Sequence, residues 1–171
     1  MTLTLIAAIS ENNVIGKEGK IPWRISEDMV RFRGLTKGHP VIMGRKTYLS
    51  LPDKFRPLPK RPNIVLSRKG FEDDKMDHRV KVVRSLDEAL ECIGEGKPQM
   101  EDIDYNDAFI IGGGTVYREA LPLAQKLEIT HVHQIVEGGD AFFPEIDFSV
   151  WREDARDDRN GYSFVTYHRF I

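Results

Sequence analysis

Short, continuous apolar runs that alternate with helical segments constrain the fold of this chain more than any other feature. The run from Thr2 to Ile9 is apolar and contains β-branched residues, a pattern typical of a strand buried on both faces. Similar runs lie at 39–44, 63–67 and 108–111, with helical patterns between them. This alternation predicts an α/β fold: a doubly wound, mainly parallel central sheet of about eight strands with about four helices.

The end of the chain predicts an antiparallel edge for that sheet. A long strand is expected from Lys126 to Val136. The segments 148–156 and 162–170 are typical of two further strands, and Asn160-Gly161 between them favours a tight turn. Strands joined in this way pair antiparallel, so a C-terminal hairpin completes the sheet.

The composition indicates an ordinary globular protein. Its 171 residues, 40% of them apolar and 30% charged, predict one domain spanning 1–171. The net charge of -2 gives no reason to expect a nucleic-acid or membrane partner. The N-terminal apolar run is too short for a membrane span and lacks the basic residues of a signal peptide. Because Cys92 is the single cysteine, we expect a protein of the reducing cytoplasm.

One acidic residue stands out in the segment from Pro22 to Leu35. Ser26 is a good N-cap residue, so a helix is predicted to begin at Glu27. On that helix Asp28 shares a face with Phe32 at i+4 and with Leu35 at i+7. Burying an unpaired carboxylate is costly, so an acid on an apolar face suggests a functional group. The alternative is a surface acid that complements the helix dipole.

Loops that follow the predicted parallel strands should converge on one edge of the sheet. They include the turn-rich segment 10–20 with its apolar pair Val14-Ile15, a basic pair after Gly44, a second basic cluster at 67–69 and the glycines at 112–114. Ligands bind beyond the carboxyl ends of strands in sheets of this kind. The sequence therefore predicts a ligand site at this edge.

The triple glycine at 112–114 suggests where phosphates would bind. Glycine lets a phosphate approach the backbone, and the start of a helix offers free N–H groups. The segment lacks the G-x-G-x-x-G pattern, and tight packing alone would also explain it. Together with Arg45, Lys46, Arg68 and Lys69 it favours a ligand with several phosphates, and hence NADP over NAD.

Other catalytic arrangements find little support. His131 and His133 share a face of one predicted strand, but no third ligand is suggested, so no metal site is expected. The spacing proposes no Ser-His-Asp or Cys-His set.

From about Leu5 to Phe170 the chain resembles the bacterial dihydrofolate reductases. The matching pieces, in order, are 5–9, 14–16, Pro22-Trp23 with Asp28 and Phe32, 41–47, Arg61 after a Pro-Leu-Pro segment, 111–117, Thr130-His131 and 139–144. The resemblance implies NADPH-dependent reduction of 7,8-dihydrofolate to tetrahydrofolate in support of one-carbon metabolism. It also implies binding of antifolates, and we expect a monomer.

The resemblance assigns a substrate side to the site. Asp28 would bind the 2-amino group and adjacent ring nitrogen of the pterin with support from Thr130, and Arg61 would pair with the α-carboxylate of the glutamate tail. The catalytic residues it implies are Asp28, Trp23 and Thr130. The substrate-binding residues it implies are Ile6, Ala8, Asp28, Met29, Phe32, Leu51, Leu58, Arg61 and Thr130.

The resemblance also assigns a cofactor side. The backbones of Ala8 and Ile15 would bind the nicotinamide amide, and Tyr117 would lie beside that ring. The remaining cofactor-binding residues it implies, for the pyrophosphate and the 2′-phosphate, are Gly44, Arg45, Lys46, Thr47, Leu66, Ser67, Arg68, Ile111, Gly112, Gly113, Gly114, Thr115 and Val116. In the family the Gly112–Gly113 peptide is typically cis, and the loop 12–23 closes over the nicotinamide. We expect Asp140 to help hold that loop.

The sequence departs from the family at a few places. Thr115 stands where several relatives carry a basic residue, and Arg118 is the candidate replacement. The segment 52–57 is longer than in the shortest relatives, so the assignments of Leu58 and Arg61 depend on aligning the prolines.

The sequence leaves two alternative functions open. One is the riboflavin-pathway reductase of the same fold, against which Pro22-Trp23, Asp28 and Arg61 argue. The other is a non-catalytic NADPH-binding module, which would be expected to lack Asp28 or Phe32.

Overall fold

A computed structural model describes residues 1–170, which form ten strands and four α-helices. The strands are β1 (Thr2–Ser10), β2 (Val14–Gly16), β3 (Val41–Gly44), β4 (Asn63–Leu66), β5 (Val80–Val83), β6 (Asp107–Ile110), β7 (Lys126–Val132), β8 (Ala141–Phe142), β9 (Trp151–Asp158) and β10 (Tyr162–Arg169). The helices are α1 (Ser26–Thr36), α2 (Arg45–Ser50), α3 (Leu86–Gly94) and α4 (Gly114–Ala120), with 3₁₀ turns at Asp53–Phe55 and Leu121–Leu123.

Eight of the strands form one mixed sheet in the order β5-β4-β3-β6-β1-β7-β10-β9. Neighbouring strands from β5 to β7 are parallel, and β10 pairs antiparallel with both β7 and β9. This arrangement confirms the predicted α/β fold with a parallel centre and an antiparallel C-terminal edge.

Alternate residues of the central strands supply two apolar cores, one on each face of the sheet. On β3, Ile42 belongs to the core that also contains residues of α3 and α4, whereas Val41 and Met43 pack on the opposite face with Tyr48 of α2. Because both faces are covered, the central strands are apolar throughout rather than alternating in polarity. This explains the continuous apolar runs in the sequence.

Local sequence signals set the start of α3 but not that of α1. Ser85 accepts a hydrogen bond from the N–H of Glu88 at 3.1 Å and caps α3. The prediction that Ser26 caps α1 is wrong: Ser26 is the first residue of the helix, Ile25 occupies the capping position, and no side chain caps it. Ile25 has the extended backbone of a cap residue, so the chain enters the helix one residue early.

Several predicted strand boundaries also need correction. The strand expected to reach Val136 ends at Val132, because the chain turns there and the N–H of Gln134 bonds to the carbonyl of Val132. The penultimate strand begins at Trp151 rather than at Phe148 and ends at Asp158 rather than at Arg156.

The segment 10–20 folds back onto the sheet. Within it β2 pairs antiparallel with β8 in a separate two-stranded sheet, and Val14 is fully buried. A Cβ on Gly139 would lie 2.6 Å from a methyl carbon of Val14, so a glycine is needed where the two segments cross. The apolar pair Val14-Ile15 therefore anchors the loop to the core.

None of the helices described within residues 1–170 has the length and apolar character needed to cross a bilayer.

Leu127 of β7 offers a direct test of the packed core. Its side chain is fully buried, so Leu127→Ala should lower the free energy of unfolding by about 2–5 kcal/mol, through lost apolar contact and a residual cavity. Leu123, which is 45% exposed, is the matched control, and Leu123→Ala should change it by less than about 1 kcal/mol. Urea unfolding measures both, and equal losses would contradict the described core.

Candidate active site

A cleft of about 1480 Å³ opens beyond the carboxyl ends of β1, β3, β4 and β6. Helix α1 forms one wall, and the turns that lead into α2 and α4 form the other. Every residue predicted for the site lines this cleft except Thr130, which lies behind Asp28. The sheet has thus brought the predicted groups together at one edge, as expected for parallel strands.

Asp28 is partly buried in the α1 wall of the cleft. Its Oδ1 accepts a hydrogen bond from the hydroxyl of Thr130 on β7 at 2.5 Å. Burial raises the pKa of the Asp28 carboxyl, while the bond from Thr130 and the cation of Arg31 act in the opposite direction. The carboxylate faces the cleft rather than open solvent, which excludes the alternative of a simple surface acid.

Apolar side chains surround the part of the cleft near Asp28. Phe32 of α1 and Leu51 after α2 border it from opposite walls, with Ile6 and Leu58 almost fully buried at its base. Met29 is 55% exposed at its mouth. A flat ring with a hydrogen-bonding edge would fit these surroundings, with its polar edge toward Asp28.

Arg61 is a buried cation at the same end of the cleft. The residue is only 3% exposed, and its guanidinium donates to the carbonyl of Pro59 and to the hydroxyl of Thr36, each at 2.9 Å. Burial lowers the pKa of Arg61 to about 10, and the neighbouring cation Arg33 acts in the same direction. Two cations held close together in this way favour an anionic ligand.

The edge of β1 is free where β6 stops. The register of β1 with β6 ends at Leu5 paired with Ile110, while β1 continues as far as Ser10. The carbonyl of Ile6 accepts from the hydroxyl of Tyr117 at 2.7 Å instead of from a strand. Because alternate residues of a strand direct their backbone groups to the same side, Ala8 presents its N–H and C=O to the cleft.

The triple glycine forms the turn from β6 into α4. Gly112 has φ +129°, a conformation that favours glycine, and the Gly112–Gly113 peptide is cis. A Cβ on Gly114 would lie 2.8 Å from the carbonyl oxygen of Phe142, so no side chain fits there. The turn contacts the end of β3, since the N–H of Gly44 bonds to the carbonyl of Gly112 at 2.9 Å.

Exposed cations border the cleft beyond β3 and β4. These strands are parallel with Gly44 opposite Leu66, so the residues that follow each of them emerge side by side. Arg45, Lys46 and Arg68 are exposed there. Thr47 and Ser67 add hydroxyl groups to this rim, which is suited to phosphate.

The loop that carries Ile15 is tied to a second acid. The Oδ2 of Asp140 accepts from the N–H of Glu18 at 3.0 Å, and the N–H of Asp140 donates to the carbonyl of Gly16 at the same distance. Asp140 lines the cleft as well, so Asp28 and Asp140 both contribute a carboxylate to its lining. Asp140 is exposed at the mouth, and these bonds hold the loop in place.

The structure adds residues that the sequence reasoning missed. Arg33 and Arg24 line the cleft, and Lys69, which the sequence analysis had grouped with the phosphate-binding cations, lines it as well. Arg33 directly follows Phe32 on α1, and a basic residue next to a predicted site residue was the available signal. Arg118 is exposed and does not line the cleft described within residues 1–170.

The two histidines considered as metal ligands bond to β10. A ring nitrogen of His131 lies 2.8 Å from the hydroxyl of Tyr167, and one of His133 lies 3.0 Å from that of Ser163. Both rings therefore tie β7 to the hairpin.

A cleft at the carboxyl edge of a parallel sheet, with an acid, apolar side chains and cations in its lining, is typical of the ligand site of an α/β enzyme. The family model described as dihydrofolate reductase matches residues 2–169. The chain belongs to the dihydrofolate reductase family and is an oxidoreductase.

Three curated relatives agree with this assignment. The dihydrofolate reductase of Neisseria gonorrhoeae is 45% identical over 98% of this chain and 98% of its own. The dihydrofolate reductase of Mycobacterium tuberculosis (strain ATCC 25618 / H37Rv) is 42% identical over 96% of each chain. Dihydrofolate reductase HdrB of Haloferax volcanii is 38% identical over 96% of this chain and 82% of its own.

The raised pKa of Asp28 predicts a pH-dependent stability difference. A carboxyl whose pKa is higher in the folded state favours folding at low pH, and this contribution is lost as the pH rises from the unfolded pKa of 3.8 through the higher folded pKa. The side chain of Asp28→Asn cannot ionise. The free energy of unfolding of this variant should therefore rise relative to that of wild type as the pH increases from about 4 to about 7. Urea unfolding of both proteins across this range measures the gain. A difference that stays constant would contradict the burial of this carboxylate.

Proposed function

We propose that this protein catalyses the NADPH-dependent reduction of 7,8-dihydrofolate to 5,6,7,8-tetrahydrofolate in support of one-carbon metabolism. The observation that carries the proposal is the partly buried carboxylate of Asp28, which faces a cleft with a cationic rim at its other end. Membership of the dihydrofolate reductase family supports the reaction class.

The substrate end of the cleft suits a folate. The free Oδ2 of Asp28 could accept from the 2-amino group of a pterin while Oδ1 remains bonded to Thr130. Phe32 and Leu51 would contact the two faces of the ring system. Arg61 would pair with the α-carboxylate of the tail, which offers its buried cation the anion it needs.

The cofactor end suits NADPH. The free backbone groups of Ala8, together with Ile15, would hold the nicotinamide amide beside Tyr117. The glycine turn at 112–114 would lie against the pyrophosphate, since Gly114 has no room for a Cβ. Arg45, Lys46, Ser67 and Arg68 would bind the 2′-phosphate, which distinguishes NADPH from NADH.

The reaction requires a hydride and a proton. When bound, the reduced nicotinamide would supply the hydride to a carbon of the pterin ring. The imine nitrogen beside that carbon must then gain the proton. Asp28 would bind and polarise the pterin while water delivers that proton. Trp23 and the loop tied by Asp140 to Glu18 would limit access of bulk water to the cleft.

The remaining expectations follow the same proposal. We propose one catalytic domain across 1–171, a monomer, located in the cytoplasm and open to antifolates that place a cationic pyrimidine edge on Asp28.

A spectrophotometric assay tests the reaction directly. The absorbance of NADPH should fall when 7,8-dihydrofolate is added to the purified protein, and methotrexate should abolish the fall. The riboflavin-pathway reductase would instead consume NADPH with an aminopyrimidine ribose phosphate and be indifferent to methotrexate. Binding of NADPH without any turnover would indicate the non-catalytic module.

Asp28→Asn should lower turnover by about a hundredfold, because the amide cannot polarise the pterin as the carboxylate does. The matched control is Glu27→Gln, a neighbouring acid that does not line the cleft, which should stay within about threefold of wild type. Turnover of Asp28→Asn within threefold of wild type across pH would exclude the proposed role.

Arg68→Gln should raise the KM for NADPH by roughly tenfold or more while changing that for NADH by less than about twofold, because only NADPH carries the 2′-phosphate. The control is Arg118→Gln, an exposed arginine outside the cleft, which should leave both values near those of wild type. An equal increase in the KM for NADPH and for NADH would show that Arg68 does not bind the 2′-phosphate.

A further inference from the structure

Helix α1 carries Asp28, and apolar packing is only part of what fixes this helix. Phe32 and Leu35 pack against one core, but among its eleven described residues Thr36 is the buried one, and Met29 and Val30 are more than half exposed. Polar and charged side chains make the other connections to the sheet. The position of Asp28 therefore depends on the geometry and charge of those connections.

Two of these connections are neighbouring links between α1 and β7. The hydroxyl of Thr130 donates to Asp28 at 2.5 Å, and the guanidinium of Arg31 donates to Oε2 of Glu128 at 2.6 Å. Asp28 and Arg31 are one helical turn apart, while Glu128 and Thr130 are two residues apart on the strand. Both pairs thus join the same helix face to the same sheet face.

The carboxylate of Glu128 is held from several sides. Its side chain is only 4% exposed, and Oε2 also accepts from the hydroxyl of Thr166 on β10 at 2.8 Å. The Nζ of Lys126 lies 3.1 Å from Oε1. A buried carboxylate with all its partners in place is a rigid anchor for the guanidinium that reaches it from α1.

The sheet also fixes Arg31 through an aromatic ring. The guanidinium carbon of Arg31 lies 4.8 Å from the ring centroid of Phe164, within reach of a cation–π interaction. Phe164 is paired with Thr130 across β10 and β7. Arg31 is therefore held by two residues that flank the hydroxyl bound to Asp28.

Building on the function proposed above, we propose that the Arg31–Glu128 pair positions Asp28 for its substrate and sets the charge that surrounds its carboxylate. Arg31 and Glu128 are positioning residues, because they act through Asp28 and line no part of the cleft.

Arg31 and Glu128 have opposite effects on the pKa of Asp28. The cation of Arg31 favours the ionised form and lowers the pKa of Asp28. The anion of Glu128, bonded to that cation, offsets part of this effect. The other charged or titratable groups around Asp28 and this pair are Glu27 on α1, Lys126 on β7, Asp157 on β9, Arg159 and Tyr162 at the hairpin, and Tyr117 on α4.

Opposite charge changes at the same contact provide the test. Glu128→Gln leaves the cation uncompensated and should lower the pKa of Asp28, whereas Arg31→Met removes the cation and should raise it, each by roughly half to one pH unit. In the variant that combines Glu128→Gln with Arg31→Met, the pKa of Asp28 should return close to its wild-type value. NMR titration of ¹³C-labelled aspartate carboxyls reads the shifts, and the pH profile of dihydrofolate reduction should move in the same directions.

The exposed pair Arg156–Glu153, at 2.7 Å, supplies matched controls. Arg156→Met and Glu153→Gln should leave the titration of Asp28 unchanged. Arg31→Lys keeps the cation, so the pKa of Asp28 should stay near its wild-type value in this variant. If Glu128→Gln and Arg31→Met move the pKa of Asp28 in the same direction, or not at all, the pair is merely structural. The NMR readout needs no turnover, so absence of dihydrofolate reduction would overturn the proposed function and not this one.

Discussion

The hydrogen bond between Asp28 and Thr130 joins the parts of this molecule that make a site. It brings a carboxylate of helix α1 against the central sheet, where an acid without a partner would be costly. With this bond in place, α1 becomes the second wall of a cleft whose first wall is the sheet edge. Asp28 thus has a hydrogen-bond partner in the sheet, and its carboxylate can still contact a ligand in the cleft.

The sheet order decides what that acid faces. Because β6 ends beside Leu5 while β1 continues, backbone groups of β1 remain unpaired by a strand. In a parallel sheet the carboxyl ends of neighbouring strands coincide, so the same edge receives the glycine turn after β6 and the cations after β3 and β4. Strand order therefore places the glycine turn and these cations along one edge, and α1 adds the acid and the apolar wall.

The charge distribution is organised around α1 in a second way. A negative carboxylate, Asp28, lies on the cleft side of the helix, and a cation, Arg31, lies one turn later against a buried anion of β7. Arg61 and Arg33 place positive charge farther along the same cleft. A ligand with a donor edge at one end and a carboxylate at the other matches this pattern.

Much of the fold was readable in the sequence because local rules governed it. The apolar runs predicted the central strands, since a strand covered on both faces must be apolar throughout. The N-terminus of α1 was placed one residue late, because the backbone of Ile25 and not a side-chain cap sets it. The strand that begins at Lys126 was predicted to be too long for a similar reason. Its end is set by a turn at Val132, which the pattern of apolar residues does not indicate.

The sequence by itself determined which residue types could form the site and the edge of the sheet at which they would meet. It did not determine the partners. That Arg31 reaches Glu128, 97 residues away, that Arg33 lies beside Arg61, and that Asp140 also borders the cleft are outcomes of three-dimensional packing. The physical reason is range: secondary structure follows from neighbours along the chain, whereas the charge around a carboxylate is summed over segments that only folding brings together.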